Sequence, residues 1–167
     1  MSATTSPSPS PSPTAGATPA RASALSDLEV EVGVLIRRVR RVIGERARAV
    51  HPDLMPSSYL MLSYVREHGP LRASAMCAVF EIDKGAISRQ VQHLIDLGLL
   101  DRAPDPQDGR ATLLSVSEAG VRRMDAVADE RRELLAERLG DWPVEEIRDF
   151  AGSLRRYNDA LGIPGDR

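Results

Sequence analysis

Asp83-Lys84-Gly85-Ala86-Ile87-Ser88-Arg89-Gln90-Val91-Gln92-His93-Leu94-Ile95-Asp96-Leu97-Gly98 reads as one short helix with both of its ends marked. Asp83 supplies a side-chain acceptor for the first free amides, and Gly98 suits the left-handed residue that closes a last turn. Ile87, Val91 and Leu94 recur at helical spacing and predict a buried stripe. Lys84, Ser88, Arg89 and Gln92 fall on the opposite face. Their chemistry mixes phosphate binders with side chains that hydrogen-bond base edges, which a plain solvated charge run does not.

The flanks give this helix its setting. Leu71 to Phe80, with Leu71, Ala75, Met76 and Val79 apolar at helical intervals, predicts a second short helix, and Glu81-Ile82 leaves only a tight turn before Asp83. Two helices joined in this way form a helix-turn-helix. Beyond Gly98 the period changes to that of strands. Leu99 to Ala103 and Ala111 to Val116 predict a β-hairpin, with Pro104-Asp105-Pro106-Gln107-Asp108-Gly109-Arg110 as its loop. The expected fold class is mainly α with a small β-hairpin wing. It is a winged helix-turn-helix flanked by N- and C-terminal dimerisation helices, whose recognition helix enters a major groove while the wing reaches a flanking groove.

In Asp83 to Arg102, in the wing Asp105-Pro106-Gln107-Asp108-Gly109-Arg110-Ala111 and in Leu114-Ser115-Val116-Ser117-Glu118-Ala119-Gly120, the sequence resembles the MarR family of winged-helix transcriptional regulators. With the flanking helices the resemblance extends over about 140 residues. Its most specific part is the Asp-x-Arg of the wing after Gly-Leu-Leu-x-Arg. The resemblance implies a repressor that binds a pseudo-palindromic double-stranded DNA operator as a homodimer. It further implies release by a small phenolic or other organic effector, or by an oxidant. The sequence departs from the family's usual pattern at Gly85-Ala86, where hydroxyl residues are common, and at Glu81, where glycine often stands.

The DNA-binding set expected on these grounds is Lys84, Ser88, Arg89, Gln92, Arg102, Asp108 and Arg110. Lys84 is assigned to phosphate, and Arg89 or Gln92 to base edges. An arginine at the tip of a hairpin enters a narrow minor groove, where the potential is most negative, and Arg110 takes that role. Asp105 and Asp108 shape the loop beneath it. Arg102 braces the wing or contacts a phosphate.

Around this lobe the 167-residue chain divides into four segments. Residues 1–24 are a Ser/Pro/Ala-rich tail whose composition cannot offset its ordering entropy, so disorder is expected. Residues 25–56 form a dimerisation helix and a loop, residues 57–118 the DNA-binding lobe, and residues 119–167 the C-terminal dimerisation helices. The first helix carries the stripe Leu28, Val32, Leu35 and Val39, with Arg37, Arg38, Arg40 and Arg41 on the other face. Ser117 is expected to cap the helix after the wing, and Pro143 suits the first turn of the last one, whose apolar set is Val144, Ile147, Phe150, Leu154, Tyr157 and Leu161. In the family the ligand cavity lies where the second helix meets the first and the DNA-binding lobe. His51, Met55, Tyr59 and Tyr64 are the lining residues this implies.

A net charge of −2 gives no global basic signal, so any DNA-binding patch is a matter of geometry. The chain has one cysteine, Cys77, and therefore no internal disulfide, which fits a reducing compartment. No signal peptide or membrane span is evident, and a cytoplasmic location is expected. There is no glycine-rich phosphate loop, no His-Glu-x-x-His and no Gly-x-Ser-x-Gly, so neither an enzyme nor a cofactor is indicated. His51, His68 and His93 show no metal-ligand spacing. Two other readings stay open: a related ligand-binding or protein-interaction module without DNA binding, and a regulator that senses thiol oxidation or metal.

Overall fold

The computed structural model describes residues 18–162, and of Gly109 and Arg110 it describes the backbone alone. The chain packs as two units, Met1–Glu45 and Arg46–Arg167. Helix α1 (Pro19–Val50) supplies the first unit and its last turn enters the second. The tail expected over residues 1–24 thus gives way to helix at Pro19. Pro19 pre-sets the helical φ, and Ala20, Ala22 and Ala24 are strong helix formers. The remainder of that tail, residues 1–17, lies outside the described residues. Along α1, Leu25, Leu28, Leu35, Ile36 and Val39 are all exposed.

In the second unit, α2 (Pro56–His68) buries Met61, Leu62 and Val65. Strand β1 (Leu71–Arg72) follows, then α3 (Ala73–Phe80) and α4 (Lys84–Asp96). Strands β2 (Leu100–Asp105) and β3 (Asp108–Val116) precede α5 (Glu118–Arg138) and α6 (Val144–Leu161). The sheet is antiparallel in the order β1-β3-β2. Leu71 and Arg72 are therefore not the opening turn of a helix, as the apolar spacing suggested. Extended backbone at Arg72 lets the pair lie opposite Leu114 and Leu113, giving β3 a partner on its second edge.

The wing also differs from expectation. Its strands continue through Pro104 and Asp105 on one side and from Asp108 on the other, leaving a turn of only Pro106 and Gln107. Pro104 has no amide to contribute to a ladder, and Asp105 offers its carboxylate to the turn instead. A register irregularity falls between those two residues.

One apolar core joins these elements. Ala47 and Val50 from the end of α1, Leu54, the buried face of α2, Met76, Ile87, Val91, Leu94, Leu99, Leu100, Leu114 and Met124 form a single cluster. Ser117 locks the junction at its edge. Its Oγ accepts the Gly120 amide at 2.9 Å and donates to the Gly98 carbonyl at 2.7 Å. A Cβ on Gly120 would come within 2.6 Å of the Leu99 carbonyl oxygen, so the close approach of α5 requires glycine there. At the far end of the chain α6 buries none of its residues within the protomer.

Candidate nucleic-acid interface

Helix α4 is built as its sequence indicates. Asp83 accepts the Ala86 amide at 2.9 Å, and Gly98 adopts φ +68° just beyond the last turn. Ile87, Val91 and Leu94 are 1%, 5% and 0% exposed, so the helix is seated on the core along one face. Lys84, Ser88, Arg89 and Gln92 are exposed on the other. Gly85 has a steric reason to be small. A Cβ there would stand 3.0 Å from the capping Asp83 Oδ1 and 3.5 Å from an Arg89 guanidinium nitrogen, which places Arg89 beside the first turn.

Arg102 on β2 donates to Gln92 Oε1 at 2.8 Å, and the Gln92 amide nitrogen donates to Asp96 Oδ1 at 2.7 Å. Arg102 thus braces the wing against the recognition helix. Gln92 is held between two partners, so reading a base edge requires it to exchange one of them. Between α3, α4 and the wing lies a cavity of about 190 Å³ whose lining includes Ser74, Cys77, Lys84, Ser88, Arg102 and Leu114.

The wing itself is tied down from β1. Arg72 Nε and a terminal guanidinium nitrogen donate to Asp105 Oδ2 at 2.8 and 2.5 Å, while the other terminal nitrogen is 3.5 Å from Asp108 Oδ2. The second oxygen of Asp105 accepts the Gln107 amide at 2.9 Å. The hydrogen bond from the Gln107 amide, with those from Arg72 after it, holds the Asp105 carboxyl below the usual carboxylate range, and the hydrogen bond to Asp105 pushes the Arg72 guanidinium above its ordinary value. The Asp105 carboxylate is thus paired with a cation and covered, at 8% side-chain exposure. Arg110 has its backbone in β3, two residues beyond Asp108; its side chain lies outside what the structure describes.

The family model that matches this sequence, over residues 53–111, is that of the MarR family. An HTH-type transcriptional regulator of Bacillus subtilis, YxaD, is 32% identical over 134 residues, covering 80% of this chain and 92% of its own. The chain belongs to the MarR family. It is accordingly a DNA-binding transcriptional regulator and not an enzyme. The HTH-type transcriptional repressor NicR of Pseudomonas putida is 27% identical over 136 residues, 80% of this chain and 86% of NicR. Among solved structures, a cysteine-to-serine mutant of MarR from E. coli in complex with operator DNA shares the fold. Its TM-score is 0.58 at 18% identity, with 80% of this chain and 95% of that one covered.

Of the four ligand residues that the family resemblance implies, Tyr59 alone lines the cleft between α2 and α5. Tyr59 lines an open cleft of about 360 Å³ with Ser63, Arg66 and Met124, between α2 and α5. Met55 is 60% exposed, and His51 Nδ1 accepts the Asp53 amide at 3.2 Å. Tyr64 stacks on His68 with ring centroids 4.1 Å apart and meets the edge of Phe80. Neither His51, Met55 nor Tyr64 enters the wall of the Tyr59 cleft. Cys77 is half-buried against the core, with Sγ 3.6 Å from the Ala73 carbonyl oxygen it donates to. No helix among the described residues is long and apolar enough to cross a membrane, and none of their His, Cys, Asp and Glu side chains form a metal-holding group of three.

Sequence reading missed the pairing of Arg72 with Asp105, which are 33 residues apart. It also missed Arg46 and Arg131. Burial lowers the affinity of the Arg131 guanidinium for its proton, and the charge of Arg46 lowers it further, partly offset by Tyr59. No acidic partner for either arginine appears among the described residues, and Arg46 Nε is buried without a hydrogen-bond acceptor.

Proposed function

We propose that this chain represses transcription by binding a pseudo-palindromic operator as a homodimer, and that a small organic ligand releases it. The observation that carries operator binding is α4 itself. One face is anchored in the core by Ile87, Val91 and Leu94, while Lys84, Ser88, Arg89 and Gln92 face outward beside a braced wing. Such a helix meets a major groove as a rigid body, with Lys84 on phosphate and Arg89 and Gln92 toward base edges. Arg110 is assigned to the minor groove beside it.

Dimerisation is supported by the apolar residues left in water at both chain ends, from Leu25 to Val39 on α1 and from Val144 to Leu161 on α6. Two half-sites then follow from two-fold symmetry. Repression is the output named for NicR. For the effector, the cleft between α2 and α5 offers room, with the Tyr59 ring and the apolar side chains of Met124 and Ala128 in its wall to receive an organic molecule. A ligand that binds better when the recognition helices are wrongly spaced shifts the population away from DNA.

The test is selection of duplexes from a random-sequence pool, followed by fluorescence anisotropy on the enriched sequence and on the protein's own upstream region across a salt series. A two-fold consensus is expected, with a steep salt dependence. Lys84→Ala and Arg110→Ala should each weaken binding and each flatten the slope of log K against log salt by about one. A folded protein that enriches no sequence would overturn operator recognition.

A further inference from the structure

We infer that Arg72 is the positioning residue of the wing: its guanidinium holds both ends of the wing's turn and so fixes the backbone that carries Arg110. This rests on the operator-binding reading above. Arg72 sits at the base of the helix-turn-helix, in β1 and at the cap of α3, and its backbone is fixed by pairing with Leu113. Its side chain spans from there to Asp105, the last residue of β2, and to Asp108, the first of β3. A single planar cation therefore touches both sides of the Pro106–Gln107 turn. Asp105 completes the arrangement, since the oxygen not used by Arg72 accepts the Gln107 amide.

The pairing matters for charge as well as for shape. Asp105 and Asp108 stand five and two residues before Arg110, and without a cation beside it the Asp105 carboxylate would repel the phosphates that Arg110 approaches. Side-chain exposure is 8% for Asp105 and 44% for Arg72, so the carboxylate is covered while the guanidinium roofs it. A lysine would keep the charge but not the fork that meets Asp105 through two nitrogens and Asp108 through a third. Arg72 thus acts on DNA through Asp105 and the turn, and the base of the helix-turn-helix sets where the wing lies.

The experiment uses the full chain and compares Arg72→Gln, Arg72→Lys and Asp105→Asn, each with and without Arg110→Ala. Anisotropy reads affinity for the selected duplex, and amide hydrogen exchange of the free protein reads the wing. In the native background Arg110→Ala should weaken binding about tenfold, and in the Arg72→Gln background less than about threefold, because the two residues act as a unit. Arg72→Lys should recover part of the loss. Asp105→Asn gives the sharpest sign. Removing a negative charge beside DNA tightens binding on electrostatic grounds alone, whereas loss of the clamp weakens it. The Gln107 and Asp108 amides should exchange faster in Arg72→Gln and Asp105→Asn while those of α4 stay protected.

Additive losses for Arg72→Gln and Arg110→Ala, together with undiminished binding by Asp105→Asn, would mean that Arg72 touches DNA itself and would overturn the inference. Unchanged exchange at Gln107 would overturn it too. A native protein that binds no duplex would bring down the operator reading separately, and the exchange measurement would then decide the clamp alone.

Discussion

Glu81 carries the clearest residue-scale tension in the molecule. It ends α3 with φ 52° and ψ 35°, a left-handed conformation in which a Cβ crowds the backbone. The tight turn before Asp83 demands that geometry, and the core contacts of Met76 and Ile87 on either side hold it. Glu81→Gly should therefore raise stability by about 1 kcal/mol, measured by urea denaturation with an unchanged m-value. A loss of stability would show that the Glu81 side chain makes a compensating contact. Gly85 shows the opposite relation between residue and backbone. No special φ is needed there, and what a side chain would disturb is the Asp83 cap.

At the scale of elements, the wing should respond to acid in a defined direction. The folded-state pKa of Asp105 lies below its unfolded value, so its stabilising contribution is complete above the unfolded value of about 3.9 and is lost as pH falls through the lower folded one. The amide resonance of Gln107 should hold steady from neutral pH to about 4 and move only below it, while in Asp105→Asn it should not titrate. The same comparison shows why α4 was legible in the sequence and the clamp was not. A cap, a glycine stop and a stripe at 3.6-residue spacing are local signals, and Asp83, Gly98 and Ile87-Val91-Leu94 each gave one. The helical spacing from Leu71 gave a false one, because its pairing with Leu114 is decided 43 residues later. Tyr59 and Tyr64 could have been separated beforehand: five positions on a helix place them about 140° apart, too far to share one wall.

For the whole molecule, the exposed apolar residues of α1 and α6 set the expectation that stability depends on protein concentration. The melting temperature should rise with concentration, as it does when folding and association are linked. Phe150 is 53% exposed in the protomer, so Phe150→Asp would be nearly neutral for an isolated chain. In sedimentation measurements it should instead convert the dimer to monomer and remove the concentration dependence of melting. The Ser117 hydroxyl, which joins the end of α4 to the start of α5, gives this arrangement leverage. Helix α5 runs 21 residues from that fulcrum, a lever arm of about 30 Å. A tilt of about 6° at Ser117 swings the far end by about 3 Å. Seen from the other end, a displacement of one side chain's width at the end of α5 amounts to only a few degrees of tilt at Ser117, so the locked junction need yield very little to admit a large displacement far away.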